Sequence, residues 1–451
     1  MDTTIAAIST NNIGVGAINI VRVSGDEAIN IVSKIFTNKN LIDAPSHTIH
    51  YGFIKENDEI IDEVLVMLMR GPKTYTREDI VEINCHGGYD TTNKILELLL
   101  TNGAVLAEPG EFTKRAFLNG RINLMEAESV EDLIEAKTES ARKMALNGLS
   151  GKTTNMISNL REKMVSLLAN IEVNIDYPEY TDELQITKEN ITPVLSEIRT
   201  ELQNIIKESV NSRYIKEGIN IAIIGRPNVG KSSLLNTLIE EDKAIVTDIS
   251  GTTRDTVEGS IIYKGLKFNF IDTAGIRETK DVVEKIGVEK SKKVESTSDI
   301  TILVLNAHEK ITKEDKELLN LVENKKAIIF INKNDQEKNI EKINTKLPII
   351  SGSTKTNTGI DSLKEKIIEI LKLSDLSSKD LTYLSNARQI SLAKNALKCI
   401  DHVIEENKKD IPVDMLAIDI KSAWDYLGSI IGESYEDELV DNIFKRFCLG
   451  K

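Results

Sequence analysis

The segment from Gly225 to Ser232 carries the clearest chemical pattern in this chain. It reads Gly-Arg-Pro-Asn-Val-Gly-Lys-Ser, which fits G-x-x-x-x-G-K-[ST], and it follows an apolar run at Ile219–Ile224. Glycines at these places let backbone N–H groups point at phosphate oxygens, and the start of the next helix adds a positive dipole end. We expect Lys231 to be a catalytic residue that reaches the β- and γ-phosphates, and Ser232 to hold Mg²⁺. The nucleotide contacts expected in this segment are Asn228, Val229, Gly230, Lys231, Ser232 and Ser233.

Three shorter motifs follow in the order that is typical of GTPases. Gly251-Thr252-Thr253-Arg254-Asp255 lies in a predicted loop, and Asp272-Thr273-Ala274-Gly275 and Asn332-Lys333-Asn334-Asp335 each end a predicted strand. Each motif is weak alone, but their order on an alternating strand–helix pattern predicts a GTPase domain. Asp335 can accept hydrogen bonds from the ring N–H and the exocyclic amine of guanine, a pair that adenine lacks. Ser351, Gly352 and Ser353 are either a further loop at the base or an ordinary strand-to-helix turn.

Two of these motifs are expected to sense the γ-phosphate. Thr253 is placed to reach Mg²⁺ only when the γ-phosphate is present, Asp272 can bind a water of the Mg²⁺ ion, and the Gly275 N–H can contact the γ-phosphate. The nucleotide-binding residues expected in this part of the chain are Thr247, Thr252, Thr253, Asp272, Thr273, Ala274 and Gly275.

The glutamine that orients the attacking water in Ras-like GTPases is replaced here by Ile276. Another group must therefore offset the developing negative charge. Asn228, together with backbone carbonyls and the loop 247–252, could hold a monovalent cation that takes over this electrostatic role. Glu278 and Glu284 are candidates for organising the water, although acids in such a segment are more often solvated surface residues.

Four stretches of different sequence pattern must position these motifs. Residues 1–118 mix predicted strands and helices, 119–217 have helical spacing of apolar residues, 218–375 alternate strand and helix, and 376–451 are helical again. The predicted fold class is multidomain α/β plus all-α, with a Ras-like P-loop domain inserted into one helical domain.

Composition narrows the classes of function. The 451 residues contain 71 acidic and 57 basic side chains, a net charge of −14, so RNA contact would need a local basic patch or a basic partner. No apolar run approaches the ~20 residues of a membrane span, and the first residues lack the pattern of a signal peptide. Cys85, Cys399 and Cys448 are too far apart for a disulfide framework or a zinc site. We therefore expect a cytoplasmic protein that does not bind membranes.

The whole arrangement resembles the MnmE (TrmE) family of tRNA-modification GTPases. The likeness covers essentially the full chain and is carried by the phosphate loop, the loop 247–255, the segment 109–120 and the tail Phe447-Cys448-Leu449-Gly450-Lys451. It implies a homodimer formed through N-terminal domains whose fold resembles tetrahydrofolate-binding modules. It also implies K⁺-stimulated GTP hydrolysis on dimerisation of the GTPase domains. With the FAD-dependent partner MnmG, the family installs an aminomethyl or carboxymethylaminomethyl group at carbon 5 of the tRNA wobble uridine.

The resemblance also implies roles for individual residues. The K⁺ ligands would be Asn228, Thr247, Ile249 and Thr252. Mg²⁺ would be held by Ser232 and Thr253, and Glu284 would organise the catalytic water. The folate, 5-formyltetrahydrofolate or a related compound, would contact Arg22, Glu82, Arg121 and Lys451. Cys448 falls on a proposed catalytic residue of the family, while its residue type fits a small buried hydrophobe equally well.

A function of a different class remains open from the residues alone, namely an assembly-switch GTPase that acts on ribosomes. Such a protein would share the GTPase motifs but should also carry an RNA-binding module, and no recognisable one is found in the sequence. Folate binding would distinguish the two functions.

Overall fold

The computed structural model describes residues 3–10, 16–37, 41–176, 188–241, 257–271, 298–373, 381–409, 411–435, 437–445 and 447–450. The chain divides into two compact units. The first unit contains residues 1–131, 148–200 and 391–451, and the second contains 132–147 and 201–390.

A six-stranded sheet forms the N-terminal part of the first unit. Its strands are β1 (Ile5–Ile8), β2 (Ile18–Ser24), β3 (Thr48–Glu56), β4 (Glu59–Met69), β5 (Ile80–His86) and β6 (Val105–Leu106), in the order β3-β4-β5-β2-β1-β6. All pairs are antiparallel except β1–β6. Because side chains alternate between the faces of a strand, one face buries Val21, Val23 and Ile83 against two helices. These helices are α1 (Ala28–Ile35) and α2 (Tyr89–Thr101).

The helix α2 begins earlier than its sequence pattern predicts. Apolar spacing suggests a start at Lys94, whereas the structure starts the helix at Tyr89. The first turn contains two threonines, which have low helix propensity. It forms nevertheless, because the Thr92 hydroxyl donates to the Gly88 carbonyl and accepts a hydrogen bond from Asn19. Tertiary contacts therefore outweigh propensity in this turn.

Helices make up the segments 119–217 and 376–451 that the sequence predicted to be helical. They are α4 (Leu124–Glu135), α5 (Glu139–Leu149), α6 (Lys152–Asp176) and α7 (Lys188–Lys216), followed after the second sheet by α11 (Ala387–Glu406), α12 (Val413–Ile431) and α13 (Asp437–Phe444). The short helix α3 (Glu111–Leu118) ends the segment that was predicted to mix strands and helices. Five apolar residues of α6 are spaced three or four apart, as the helical pattern of 119–217 predicts. Leu160, Met164, Leu167 and Ile171 are buried, and Met156 is partly exposed. Helix α6 packs against α12, where the Arg161 guanidinium lies 4.1 Å from the centre of the Trp424 ring.

The second unit is built on another six-stranded sheet. Its strands are β7 (Ile219–Ile224), β8 (Val257–Tyr263), β9 (Leu266–Ile271), β10 (Ile300–Asn306), β11 (Ala327–Asn332) and β12 (Ile349–Ser351), in the order β12-β11-β10-β7-β9-β8. Only the pair β8–β9 is antiparallel. The helices α8 (Lys231–Glu241), α9 (Lys313–Val322) and α10 (Ile360–Ile370) accompany the sheet. Strand β12 starts two residues later than the apolar run Leu347–Ile350 predicts, just after Pro348, which has no N–H to donate.

The parallel order decides where a ligand can bind. The carboxyl ends of β7, β10 and β11 lie at one edge of the sheet, where parallel α/β folds place their ligands. Among the described residues, no helix combines the length and the apolar character needed to cross a bilayer.

Candidate functional site

The phosphate loop, residues 225–232, bends sharply between β7 and α8. Gly225 has φ +152°, and a Cβ there would lie 2.5 Å from the Val304 carbonyl oxygen. Gly230 has φ +101°, and a Cβ would lie 2.2 Å from Nδ2 of Asn332. Asn228 adopts φ +63°, a left-handed conformation that asparagine tolerates better than most residues. The two glycines are therefore required by the close approach of β10 and β11 as well as by the bend.

Lys231 is held by hydrogen bonds to the first residues of this loop. Its Nζ donates to the carbonyl oxygens of Gly225 at 2.7 Å and Arg226 at 2.8 Å. Burial lowers the pKa of Lys231, and the negative charge of Glu314 acts in the opposite direction. An ammonium group has three N–H donors, so the two carbonyls fix its position while a further donor can address a phosphate oxygen.

Helix α8 starts directly at the end of the loop. Ser232 and Ser233 stand in its first turn and are exposed. Their position puts the Ser232 hydroxyl next to the unpaired N–H groups and the positive dipole end of the helix, where phosphates bind.

The loop after β11 is tied to the phosphate loop by side chains that the sequence predicted to contact nucleotide. Asn332 Nδ2 donates to the Val229 carbonyl at 3.1 Å, and Lys333 Nζ donates to the Asn228 carbonyl at 3.0 Å. Asn332 Oδ1 accepts from the backbone N–H groups of Lys333 and Thr354. The base loop and the phosphate loop therefore form one hydrogen-bonded surface.

Asp335 stands on this surface with its carboxylate exposed. Ser353 Oγ donates to Asp335 Oδ1 at 2.5 Å, and this hydrogen bond lowers the pKa of Asp335. The Asn334 N–H donates to the Gly352 carbonyl at 3.0 Å. The loop 351–353 thus lies beside the acid that is expected to read guanine, and the carboxylate is kept ionised for that task.

Eleven of the predicted site residues lie outside the described residues. They are Thr247, Ile249, Thr252, Thr253, Asp272, Thr273, Ala274, Gly275, Glu278, Glu284 and Lys451. The roles expected for them remain predictions.

A second group of predicted residues meets on the face of the N-terminal sheet opposite α1 and α2. Arg22 and Glu82 are cross-strand partners on β2 and β5, and Arg22 Nε donates to Glu82 Oε1 at 2.8 Å. The Arg22 guanidinium lies 5.5 Å from the centre of the Phe112 ring. Arg121 lies 4.8 Å from the centre of the Tyr75 ring, and Tyr75 packs against the cluster that contains Phe112. Two cations, one carboxylate and two aromatic rings therefore share one region.

The C-terminal tail runs along the end of β1 in the same unit. The Gly110 N–H donates to the Cys448 carbonyl at 3.3 Å, and Ser9 Oγ donates to the Gly450 carbonyl at 3.0 Å. Gly450 has φ +86°, and a Cβ there would lie 2.3 Å from the Ile8 carbonyl oxygen. Cys448 is exposed, so the alternative of a buried structural thiol is wrong.

One residue of the phosphate loop makes ion pairs that the sequence motif does not predict. Arg226 occupies a variable position of the phosphate-loop pattern, and its guanidinium contacts Asp315 at 2.8 Å and Glu309 at 2.9 Å. The only sequence pattern near its partners is the pair Thr312 and Asp315, which forms a capping box at the start of α9. This pattern predicts the start of a helix but does not predict the contact of Asp315 with Arg226.

Two family models and several known proteins match this chain in sequence. The family model "GTP-binding protein TrmE N-terminus" matches residues 4–121, and the model "MnmE helical domain" matches residues 124–448. A tRNA modification GTPase MnmE of Ligilactobacillus salivarius is 50% identical over 456 residues, covering 99% of this chain and 98% of the relative. MnmE proteins of Streptococcus mutans and Bacillus mycoides are 50% and 49% identical, again over 99% of this chain and at least 98% of each relative. With both models matching and the identity extending along nearly the whole length, this chain belongs to the MnmE family of tRNA modification GTPases and is a GTP hydrolase.

Proposed function

We propose that this chain uses GTP hydrolysis to drive the addition of an aminomethyl or carboxymethylaminomethyl group to carbon 5 of the tRNA wobble uridine. A folate supplies the one-carbon unit, and the FAD-dependent protein MnmG is the partner. The observation that carries the proposal is the position of the C-terminal tail beside the strand that pairs with Arg22. Ala7 on β1 pairs with Arg22, and the tail lies against the next residues, Ile8 and Ser9. Family membership favours this function over action on ribosomes.

The chemistry of the second region suits a folate. A pterin ring is flat and offers N–H donors, which a carboxylate such as Glu82 accepts, and its face can stack near aromatic rings. The glutamate tail of a folate carries carboxylates, which guanidinium groups bind. Arg22, Glu82 and Arg121 are therefore proposed to bind 5-formyltetrahydrofolate or a related folate, and Lys451 is proposed as a further contact from the tail.

A homodimer is supported by the exposed face of the N-terminal sheet. On β3 and β4 the residues Ile49, Tyr51 and Leu65 are 64%, 58% and 48% exposed, whereas the alternating positions of β4 are buried. A contiguous apolar patch on a sheet face is typical of a protein interface. The row that contains Ile49 continues through Met67 to Glu82 and Arg22, so a second copy seated here would border the proposed folate site.

The cofactors of the GTPase reaction follow from the phosphate loop. Mg²⁺ is proposed to be held by Ser232 and Thr253. K⁺ is proposed to bind Asn228 with Thr247, Ile249 and Thr252, and Glu284 to organise the water. Asn228 carries an amide oxygen, a neutral oxygen ligand that suits a monovalent cation, and its backbone carbonyl accepts a hydrogen bond from Lys333 at 3.0 Å.

The modification state of tRNA tests the proposal in cells that lack this chain. We expect the modified wobble uridine to disappear from digested total tRNA, as measured by mass spectrometry of nucleosides. Wild type and Cys399→Ser should restore it, because Cys399 is a half-buried thiol on helix α11, whereas Cys448→Ser should not. Unchanged tRNA in the deletion strain would refute the function, and full restoration by Cys448→Ser would refute only the role of that thiol.

The dependence of GTP hydrolysis on K⁺ tests the cation site. We expect kcat of the full chain to rise about 100-fold when Na⁺ is replaced by K⁺, the size of effect that one preorganised charge has on a transition state. Asn228→Ala should remove the rise. Asn320→Ala is the matched control, since Asn320 is an exposed asparagine on α9. Equal rates in the two salts would rule out the cation.

A further inference from the structure

The phosphate loop has a connection to the rest of its unit that the nucleotide motifs do not include. Arg226 Nε donates to Asp315 Oδ1 at 2.8 Å, and its NH2 group donates to Glu309 Oε2 at 2.9 Å. The Asp315 side chain is 3% exposed and that of Arg226 17% exposed. The Arg226–Asp315 pair is therefore largely desolvated, unlike the exposed ion pairs that contribute little to stability, whereas the Glu309 side chain is 47% exposed.

Both acids are themselves fixed by their other oxygen. Asp315 Oδ2 accepts from the N–H and the hydroxyl of Thr312, the N-cap of helix α9, at 2.9 and 2.8 Å. Glu309 Oε1 accepts from Asn306 Nδ2, at the end of β10, at 2.6 Å. Each carboxylate thus uses one oxygen to hold Arg226 and the other to hold the framework. The guanidinium is connected to a strand end and a helix start at once.

The same residue also contacts the lysine that is expected to reach the phosphates. The Arg226 carbonyl accepts from Lys231 Nζ at 2.8 Å. A shift of the Arg226 backbone would therefore displace one of the two carbonyls that position the ammonium. Displacements of about 1 Å in positioning groups cost large factors in rate.

We propose that Arg226, Asp315 and Glu309 form an anchor that holds the phosphate loop in its binding conformation, and that Arg226 is a positioning residue for GDP retention and GTP hydrolysis. Only arginine supplies two N–H groups in a rigid fork that can address two separate carboxylates. Lysine at this position would keep the charge but lose one of the two contacts.

Release of a fluorescent GDP analogue from the full chain tests the anchor. We expect Arg226→Gln to release the analogue about tenfold faster, the factor that corresponds to the loss of one charge-assisted hydrogen bond. Arg226→Lys and Glu309→Gln should each give a smaller increase in the same direction. The matched control is Arg213→Gln, since Arg213 also pairs with two acids of the same unit, Asp299 and Glu217, but beside the amino end of β7.

A second measurement separates positioning from general loosening of the fold. The preference for GDP over IDP, which lacks the exocyclic amine, depends on the base loop and should stay unchanged in Arg226→Gln. The anchor is refuted if Arg226→Gln and Arg226→Lys both release the analogue at the wild-type rate. It is equally refuted if Arg213→Gln speeds release as much as Arg226→Gln does, or if the base preference falls together with retention.

Discussion

Asp335→Asn is expected to weaken GTP binding at least about 100-fold and to make XTP the preferred nucleotide. The carboxylate is expected to accept two hydrogen bonds from guanine, whereas an amide can accept only one of them while its NH₂ group faces the exocyclic amine. A site that leaves polar groups unpaired discriminates strongly. Xanthine has a carbonyl where guanine has the amine, so the asparagine NH₂ can donate to it. Competition of GTP and XTP against a fluorescent nucleotide measures the change.

The control for this specificity change is Asp361→Asn, an 84% exposed acid in the first turn of α10. It should leave both affinities unchanged. Because the hydrogen bond from Ser353 lowers the pKa of Asp335, the wild-type preference for guanine should be constant across the neutral pH range and fall only in acid. A wild-type ratio of GTP to XTP affinity in Asp335→Asn would contradict the assignment of the base loop.

The second sheet was more predictable than the first, and the reason is physical. Parallel strands are buried on both faces, so they appear as continuous apolar runs, and β7 has the predicted bounds Ile219–Ile224. In the first sheet, β4 starts at Glu59, whereas its apolar run, Val64–Met69, by itself predicts a strand of only those six residues. The polar residues of its first half pair with β3 in a hairpin. Their place in the sheet depends on that partner strand, which no short-range pattern indicated.

In the candidate sites, too, features formed by neighbouring residues could be predicted, whereas contacts between residues far apart in the sequence could not. The phosphate loop could be predicted, because glycine spacing, strand and helix lie within about 20 residues of each other. The contact of Arg226 with Asp315 spans 89 residues, and that of Ser9 with Gly450 spans 441. Such contacts arise from the topology of the chain. Motif reasoning therefore predicted the position of the loop between β7 and α8, while the side chains that hold this loop in place became visible only in three dimensions.

Lys231→Met is expected to reduce kcat for GTP hydrolysis by about 10²–10³-fold, which is the effect of removing one preorganised donor from a transition state. The unfolding temperature of the nucleotide-free variant should stay within a few degrees of the wild-type value. Burial of the ammonium lowers its pKa, which means that the positive charge is held at a cost to stability. Methionine fills a similar unbranched volume without that charge. Saturating GDP should stabilise the wild type strongly and the variant little, because ligand stabilisation scales with affinity.

Lys267→Met is the control that separates the effect of a buried lysine on stability from its effect on hydrolysis. Lys267 on β9 is also half-buried, and its pKa is lowered by burial and then by the charge of Lys137. This variant should hydrolyse GTP at the wild-type rate and unfold at a slightly higher temperature. Since the native pKa lies below the ordinary value of 10.5, the unfolded state binds more protons in alkaline solution. The difference in stability between Lys267→Met and the wild type should therefore be largest at neutral pH and shrink as the pH rises toward 10.5. Without nucleotide, the unfolding temperature of Lys231→Met could lie far below that of Lys267→Met. Lys231 would then be a structural support of the loop, and the lower activity of Lys231→Met would say nothing about phosphate binding.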